Sequence, residues 1–329
     1  MKHSVFTPVF APLFLAAPVF AADVPTPHID PQQITVSGLS AGGQMAHQLH
    51  IAYSDLFSGV AILAGGPYGC AAGSVATAFA RCMGTTGDGL SPDEFESAIR
   101  AAAAEGRAAD PAGLADDPVW LFHGTRDTTV AAGVSDTLAA LYAAFVPETN
   151  IRYVSDVPAA HHFPASGHGH ACDASEAPFV GDCGYDAAGQ LLQHLYSGLQ
   201  PPTALPAGEL REAGLPNAAD AGLSETAWLY VPRACTEEGA GCALHLVLHG
   251  CAQSAAQVGT AFIEQSGYLG WAGANDIVLA FPQVVPGAAN PYACWDWWGY
   301  TGAGYLDREA PQMKALVDWI ESLADARKG

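Results

Sequence analysis

Basic residues are scarce in this chain of 329 residues: 12 Lys and Arg stand against 33 Asp and Glu, giving a formal charge of −21. Nucleic acids and anionic membrane surfaces are bound through clustered cations. With so few, neither is an expected partner. Beyond the N-terminal stretch there is no apolar run long enough to span a bilayer. There is no internal repeat, and no tract is biased enough to read as disordered. No CxxC pair occurs, which removes the common structural zinc spacing. What is present is a chain that is 50% hydrophobic and rich in glycine (36) and proline (23). That is enough for one large α/β domain or two smaller ones with many turns.

The opening residues, MKHSVFTPVFAPLFLAAPVFAADVP, have a basic start, an apolar run and a small-residue close. They read as a secretory signal, residues 1–22, cleaved after Ala21 or Ala22. Prolines interrupt the run and no basic stop follows it. The remainder, 23–329, reads as one domain of a secreted, monomeric protein. All eight cysteines lie beyond the signal: Cys70, Cys82, Cys172, Cys183, Cys235, Cys242, Cys251 and Cys294. An even number in an exported chain suggests disulfides. Eight cysteines permit 105 pairings, of which neighbour pairing (70–82, 172–183, 235–242, 251–294) is the simplest.

Strand-like and helix-like segments alternate. The β-branched run Ile34–Val36 precedes a helix from Ala41 to Tyr53. FSGVAILAGG, PVWLFHGTRDTTV and NIRYVSDVPAAHHFPA are strands running into loops, with helices at 94–105, AGVSDTLAALYAAF and AAGQLLQHLYSGL. A connector at about 200–212, QPPTALPAGEL, breaks the pattern. After it come the strands AWLYVPRAC and ALHLVLHGCAQS, a helix at 255–272, the strand DIVLAFPQVV, an aromatic loop and a closing helix at 310–328. This alternation predicts a mostly parallel central sheet with helices on both faces.

Gly38-Leu39-Ser40-Ala41-Gly42 matches G-x-S-x-G between a strand and a helix. A nucleophilic serine at such a turn sits on strained backbone, so its neighbours must be small. The helix start then offers the Ala41 N–H to a developing oxyanion. A serine needs a base, and the base needs an orienter. The acid is expected in the loop after a strand, which selects Asp127. Asp116 and Asp117 lie at the wrong end of that strand, and Asp156 comes from the next one. The base is expected from the following loop, which offers His161, His162, His168 and His170. Their spacing is not that of a catalytic zinc site, and no metal or organic cofactor is expected. A second oxyanion donor normally follows an earlier strand and is often marked His-Gly. Nothing before Ser40 supplies one, whereas His249-Gly250-Cys251 has this form far downstream. Joining the two ends would run the closing helix into Ile34–Ser40. The domain therefore reads as a circularly permuted α/β-hydrolase fold, with the connector bridging the old ends.

The early GLSAGG, the HHFP loop, the late HLVLHGC and NPYACWDWWGY together resemble the secreted poly(3-hydroxybutyrate) depolymerases with a circularly permuted catalytic domain. The similarity covers essentially all of the mature chain and is greatest to the single-domain type, which has no separate substrate-binding domain. The resemblance implies Ser40 as nucleophile, Asp127 as acid and His161 as base, with oxyanion donors at the N–H groups of Ala41 and Cys251. It also agrees with a Cys251–Cys294 disulfide. Trp295, Trp297 and Trp298 lie within four residues and are candidates for an apolar wall against a polyester chain, although alternation places at least one in the core. The expected activity is serine-dependent hydrolysis of polyester or hydroxyacid-oligomer esters through an acyl-enzyme. The alternatives are a feruloyl or acetylxylan esterase of related fold and a non-enzymatic surface-binding protein.

Overall fold

A computed structural model describes residues 26–84, 89–202 and 207–325. The expected signal, 1–22, and part of the expected connector, 203–206, lie outside the described residues. In chain order the strands are β1 (Ile29–Leu39), β2 (Val60–Leu63), β3 (Val119–Phe122), β4 (Ile151–Val154), β5 (Phe163–Ala165), β6 (His170–Ala171), β7 (Val180–Asp182), β8 (Gly208–Gly214), β9 (Thr226–Pro232), β10 (Cys242–Leu248) and β11 (Ile277–Phe281). Eight of them build one sheet in the order β4-β3-β2-β1-β10-β11-β9-β8, while β5, β7 and β6 form a small separate sheet. Pairing in the large sheet is parallel from β4 through to β11, and antiparallel where β9 meets β11 and β8.

Numbered from β8 through the C-terminal helix and on into β1, the strands lie across the sheet as first, second, fourth, third, fifth, sixth, seventh and eighth. This is the strand order of the α/β-hydrolase fold with its chain opened between fourth and fifth strands. The helix Pro311–Asp325 fills the place before β1. Its Met313, Leu316, Trp319 and Ile320 share one buried cluster with Ile34 and Val36 of β1 and with Met45 and Leu49 of the following helix. The break in the chain thus falls beside an intact packing unit, as permutation requires.

Strand alternation divides the core. Val60 and Ile62 of β2 join the cluster under the helices Ala41–Ala52 and Pro311–Asp325. Ala61 and Leu63 point the other way, toward Leu191 and Leu192 of the helix Ala187–Leu195 and toward Trp271. The four-residue runs of β2 and β3 are buried on both faces, the usual state of parallel strands. One connected polar network enters the second layer. His245 bonds Thr35 through Nδ1 at 2.6 Å and Ser37 through Nε2 at 2.7 Å. Ser37 in turn meets the Tyr268 hydroxyl at 2.7 Å.

Two expectations require correction. Residues 208–212 are not connector but the start of β8, an edge strand. GELREAG carries little apolar alternation because an exposed edge has little to bury. The helix expected at 255–272 is three short helices, Ala255–Val258, Ala261–Gln265 and Tyr268–Ala274. Gly259 (φ 62°) and Gly267 (φ 90°) break it in backbone conformations favoured by glycine. The disulfides join Cys70 to Cys82, Cys172 to Cys183, Cys235 to Cys242 and Cys251 to Cys294.

Candidate active site

Ser40 lies between β1 and the helix Ala41–Ala52, with φ 57° and ψ −118°. A non-glycine residue holds this conformation only where the surroundings fix it. Its N–H donates to the carbonyl of Leu63 (2.8 Å), and its carbonyl accepts from Gln44 (2.9 Å). The neighbouring glycines are obligatory. A Cβ at Gly38 would stand 2.1 Å from the carbonyl oxygen of Gly42, and one at Gly42 would stand 2.3 Å from that of Leu248.

Asp127 follows β3. Its Oδ1 accepts from the N–H groups of Thr129 (2.8 Å) and Val130 (2.9 Å). Its Oδ2 lies 2.7 Å from Nδ1 of His161, which comes from the loop after β4. Nε2 of His161 lies 2.9 Å from Oγ of Ser40. An ionised carboxylate can only accept, so Nδ1 of the neutral imidazole carries the proton and Nε2 faces the serine as acceptor. Burial pushes the Asp127 carboxyl up, but the hydrogen bond and charge of His161 and the two N–H groups more than offset this. The net shift is below the ordinary carboxylate range. Ser175 Oγ donates to the His161 carbonyl at 2.8 Å and steadies the loop.

Parallel pairing sets Gly38 opposite Leu248, so His249-Gly250-Cys251 emerges beside the serine turn. A Cβ on Gly250 would lie 3.5 Å from the Leu39 carbonyl. The loop is held from several sides. Trp295 Nε1 donates to the His249 carbonyl (3.0 Å), and Ala252 N–H donates to the Tyr292 carbonyl (2.6 Å). The Cys251–Cys294 disulfide ties the same two segments.

The other sequence candidates lie elsewhere. His162 is buried, with Nε2 2.8 Å from the Cys172 carbonyl. His168 is exposed, and His170 pairs with Glu176. Asp117 pairs with His50 at 3.0 Å, and Asp156 is exposed. Trp295 is fully buried (0%) and Trp297 nearly so (8%). A side chain with no accessible surface cannot line a groove, so Trp295 is a core residue and not a substrate contact. Trp298 is partly exposed and packs edge-on against Trp297.

Two contributors escaped the sequence reading. Asp296 organises the aromatic loop by accepting from the N–H groups of Gly299 (2.7 Å), Tyr300 (3.0 Å) and Thr301 (2.9 Å). Its place between tryptophans in CWDWWGY was the available signal. His123, directly after β3, is buried with Nδ1 3.1 Å from Ser135 Oγ. Burial lowers its pKa, and the Asp127 charge only partly opposes this.

No family model matches the chain. Individual proteins do. A poly(3-hydroxybutyrate) depolymerase of Delftia acidovorans is 42% identical over 310 residues, which cover 92% of this chain and 62% of that protein. A polyhydroxybutyrate depolymerase of Talaromyces funiculosus is 33% identical over 331 residues, covering 95% of this chain and 96% of that one. The chain therefore spans less than two thirds of the bacterial relative and nearly all of the fungal one. Among solved structures, a PHB depolymerase from Penicillium funiculosum superimposes with a TM-score of 0.84 at 32% identity, covering 91% of this chain and 98% of that one. A serine-to-alanine PHB depolymerase complexed with an R3HB trimer does so at 0.84 and 31%, with the same coverage. With its permuted strand order and near-complete match to the fungal protein, the chain belongs to the poly(3-hydroxybutyrate) depolymerase family.

Proposed function

We propose that this protein is a serine esterase that hydrolyses the backbone esters of poly(3-hydroxybutyrate) or its oligomers. The reading rests above all on the hydrogen-bond chain Asp127–His161–Ser40 beside the His249-Gly250-Cys251 loop, within a chain of this family. His161 Nε2 takes the proton of Ser40 as Oγ attacks the ester carbonyl. Asp127 holds the imidazole and stabilises its protonated form. The N–H groups of Ala41 and Cys251 receive the oxyanion, each worth about 3–4 kcal/mol of transition-state stabilisation. His161 then protonates the leaving alkoxide, so one chain departs as an alcohol. Water, deprotonated by His161, attacks the acyl-Ser40 ester. The acid product leaves and Oγ regains its proton.

Residues 23–329 act as one catalytic domain after export by the 1–22 leader, and the four disulfides fit an oxidising compartment. Among the described residues no helix is long and apolar enough to cross a membrane. The domain's own surface offers apolar side chains for contact with polymer. Phe79 (63% exposed) and Val75 (49%) follow β2, while Val285 (46%) and Tyr292 (64%) follow β11. Both segments leave the carboxyl ends of parallel strands, the end that carries Ser40. Phe79 also lines a cavity of about 450 Å³ together with Asp127, Thr128 and Val130. Trp298 adds an apolar wall.

The test is to incubate the protein separately with amorphous poly(3-hydroxybutyrate) film, soluble hydroxybutyrate oligomers and feruloylated xylan. Release of 3-hydroxybutyrate products from film or oligomers is expected. Release of ferulate alone would move the protein to the carbohydrate esterases. Undiminished esterase activity in Ser40→Ala would remove the mechanism.

A further inference from the structure

The oxyanion loop and the histidine loop leave different strands, yet catalysis needs both in register with Ser40. One side chain joins them. Gln253 is buried (1% exposed), two residues beyond Cys251. Its Oε1 accepts from the Gly250 N–H at 2.7 Å. Its Nε2 donates to the carbonyls of Pro178 and Phe179, both at 2.9 Å. The amide orientation is forced, because the oxygen faces an N–H donor and the nitrogen faces two carbonyl acceptors.

The far side of this bridge leads back to the base. The Phe179 carbonyl also accepts from the Phe163 N–H (2.9 Å), two residues after His161. On the near side, the Gly250–Cys251 peptide is held through its carbonyl as well. His249 Nδ1 lies 2.7 Å from the Gly250 carbonyl, and His249 Nε2 accepts from the Val284 N–H at 3.2 Å. Burial holds the His249 pKa down to about 4, so the ring is neutral at ordinary pH, with its proton on Nδ1. A carbonyl pinned on one side of a peptide turns its N–H to the other. Gln253 fixes the peptide before that one, and His249 fixes the peptide itself.

We propose that Gln253 is a positioning residue that couples the oxyanion-donor loop to the loop carrying His161, setting the direction of the Cys251 N–H relative to Ser40. The inference deepens the serine-esterase reading and depends on it. Gln253 does not touch the reacting atoms. Its effect passes through Gly250 on one side and Phe179 on the other. Since the oxyanion forms only in the transition state, losing the bridge lowers kcat more than it raises KM.

Two variants of full-length mature protein test this with p-nitrophenyl butyrate as soluble substrate. Gln253→Met keeps the volume and removes all three hydrogen bonds. Gln253→Glu keeps the acceptor for Gly250 and removes the two donors. Active sites are counted by stoichiometric inactivation of Ser40, so that misfolded protein does not count as slow enzyme. Gln253→Met should lose about 10- to 100-fold in kcat per active site, less than the 10²- to 10³-fold known for deleting an oxyanion donor outright. KM should stay within about twofold, and affinity for a butyl boronate, a tetrahedral adduct former, should fall with kcat. Gln253→Glu should lie between the wild type and Gln253→Met, and it carries the test if the methionine variant folds poorly. Wild-type kcat per active site in either variant overturns the proposal, as does a loss confined to KM or a boronate affinity unmoved while kcat falls. Ser40→Ala run in parallel separates the two readings. If it stays active, the esterase mechanism itself has failed; if it is inactive while Gln253→Met turns over normally, only the coupling has failed.

Discussion

His161 Nε2 stands 2.9 Å from Ser40 Oγ although 121 positions separate the two residues. Both lie at the carboxyl ends of parallel strands, Ser40 after β1 and His161 after β4, and Asp127 enters from β3 between them. Three loops at the carboxyl ends of parallel strands converge where no single loop could. Removing any member should therefore stop turnover while leaving the scaffold standing. We expect Ser40→Ala and His161→Ala to lower kcat on a soluble ester by at least about 10³-fold, and Asp127→Asn by about 10⁴-fold through loss of the productive imidazole tautomer. Matched thermal unfolding curves would show that folding is retained. Activity within tenfold of wild type in Asp127→Asn would reassign the acid.

The serine turn leaves no room for a methyl group at Gly42, where a Cβ would stand 2.3 Å from the Leu248 carbonyl and 2.5 Å from that of His249. Backbone cannot yield as a side-chain tip can. Gly42→Ala should force β1 and β10 apart at the site, costing about 2–4 kcal/mol of stability and most of the activity. Chemical denaturation and ester hydrolysis would measure both. A variant with wild-type midpoint and rate would show that the turn relaxes freely.

The Cys251–Cys294 bond closes a separation of 43 residues. Loop closure of that length corresponds to about 4 kcal/mol of denatured-state entropy. It also anchors the Cys251 end of the oxyanion loop to the segment containing Tyr292 and Trp295. Cys294→Ala with Cys251→Ala should lower the unfolding midpoint and also lower kcat in the protein that remains folded. Loss of stability with unchanged kcat would mean that the backbone hydrogen bonds alone hold the loop.

Acid should weaken the fold through histidines that are buried neutral. Burial is the largest influence on each, and holds His47 and His245 at about 3 and His249 at about 4. In the unfolded chain each takes up a proton near pH 6.5. Between those values the unfolded state binds more protons, so stability rises with pH there and falls as pH drops below about 6.5. Each such histidine contributes about 1.4 kcal/mol per pH unit within its window. Asp127, whose folded pKa is depressed, works in the same direction at lower pH, its contribution vanishing as pH falls through that folded value. Replacing His245 by Gln should reduce the acid slope of unfolding free energy by one proton, measured by denaturation from pH 4 to 7. An unchanged slope would mean that His245 is already charged in the folded state.

If adsorption uses the exposed apolar side chains beside the site, Phe79→Ser should reduce binding to polymer film more than it reduces hydrolysis of a soluble ester. Depletion of the Ser40→Ala protein from solution by polymer granules, with and without the Phe79 change, measures the first quantity alone. Equal binding by both proteins would place adsorption elsewhere.

The sequence carried the local chemistry well. Gly38-x-Ser40-x-Gly42 is legible because a serine at a strained strand-to-helix turn demands small neighbours, and that demand is written in adjacent residues. Asp127 was legible because an acid beyond a buried strand has few alternatives. The histidine was harder. His161 and His162 are adjacent, so their spacing to everything else is nearly the same, and only the resemblance to a family separated them. The structure separates them by direction, because both lie on a bend just before β5 and their rings meet different partners. One meets Ser40, and the other lies buried near the Cys172–Cys183 bridge.

β8 and the broken 255–272 helix were misread for a related reason. An edge strand and a glycine-interrupted helix obey contacts with distant segments more than their own periodicity. Gln253 and Asp296 left no recognisable pattern, because each matters through backbone groups that sequence does not display. By itself the sequence determined which residues could meet as Ser40, Asp127 and His161 do, their order along the chain and the displacement of the His249-Gly250-Cys251 strand to the far end. It could do so because Ser40, Asp127 and the His-Gly turn each follow a strand with a recognisable apolar run. Only the tertiary structure decided which histidine faces the serine, that Trp295 is core, and that one glutamine spans two loops. Those outcomes depend on side-chain direction and on distances between segments far apart in the chain, which a one-dimensional pattern does not encode.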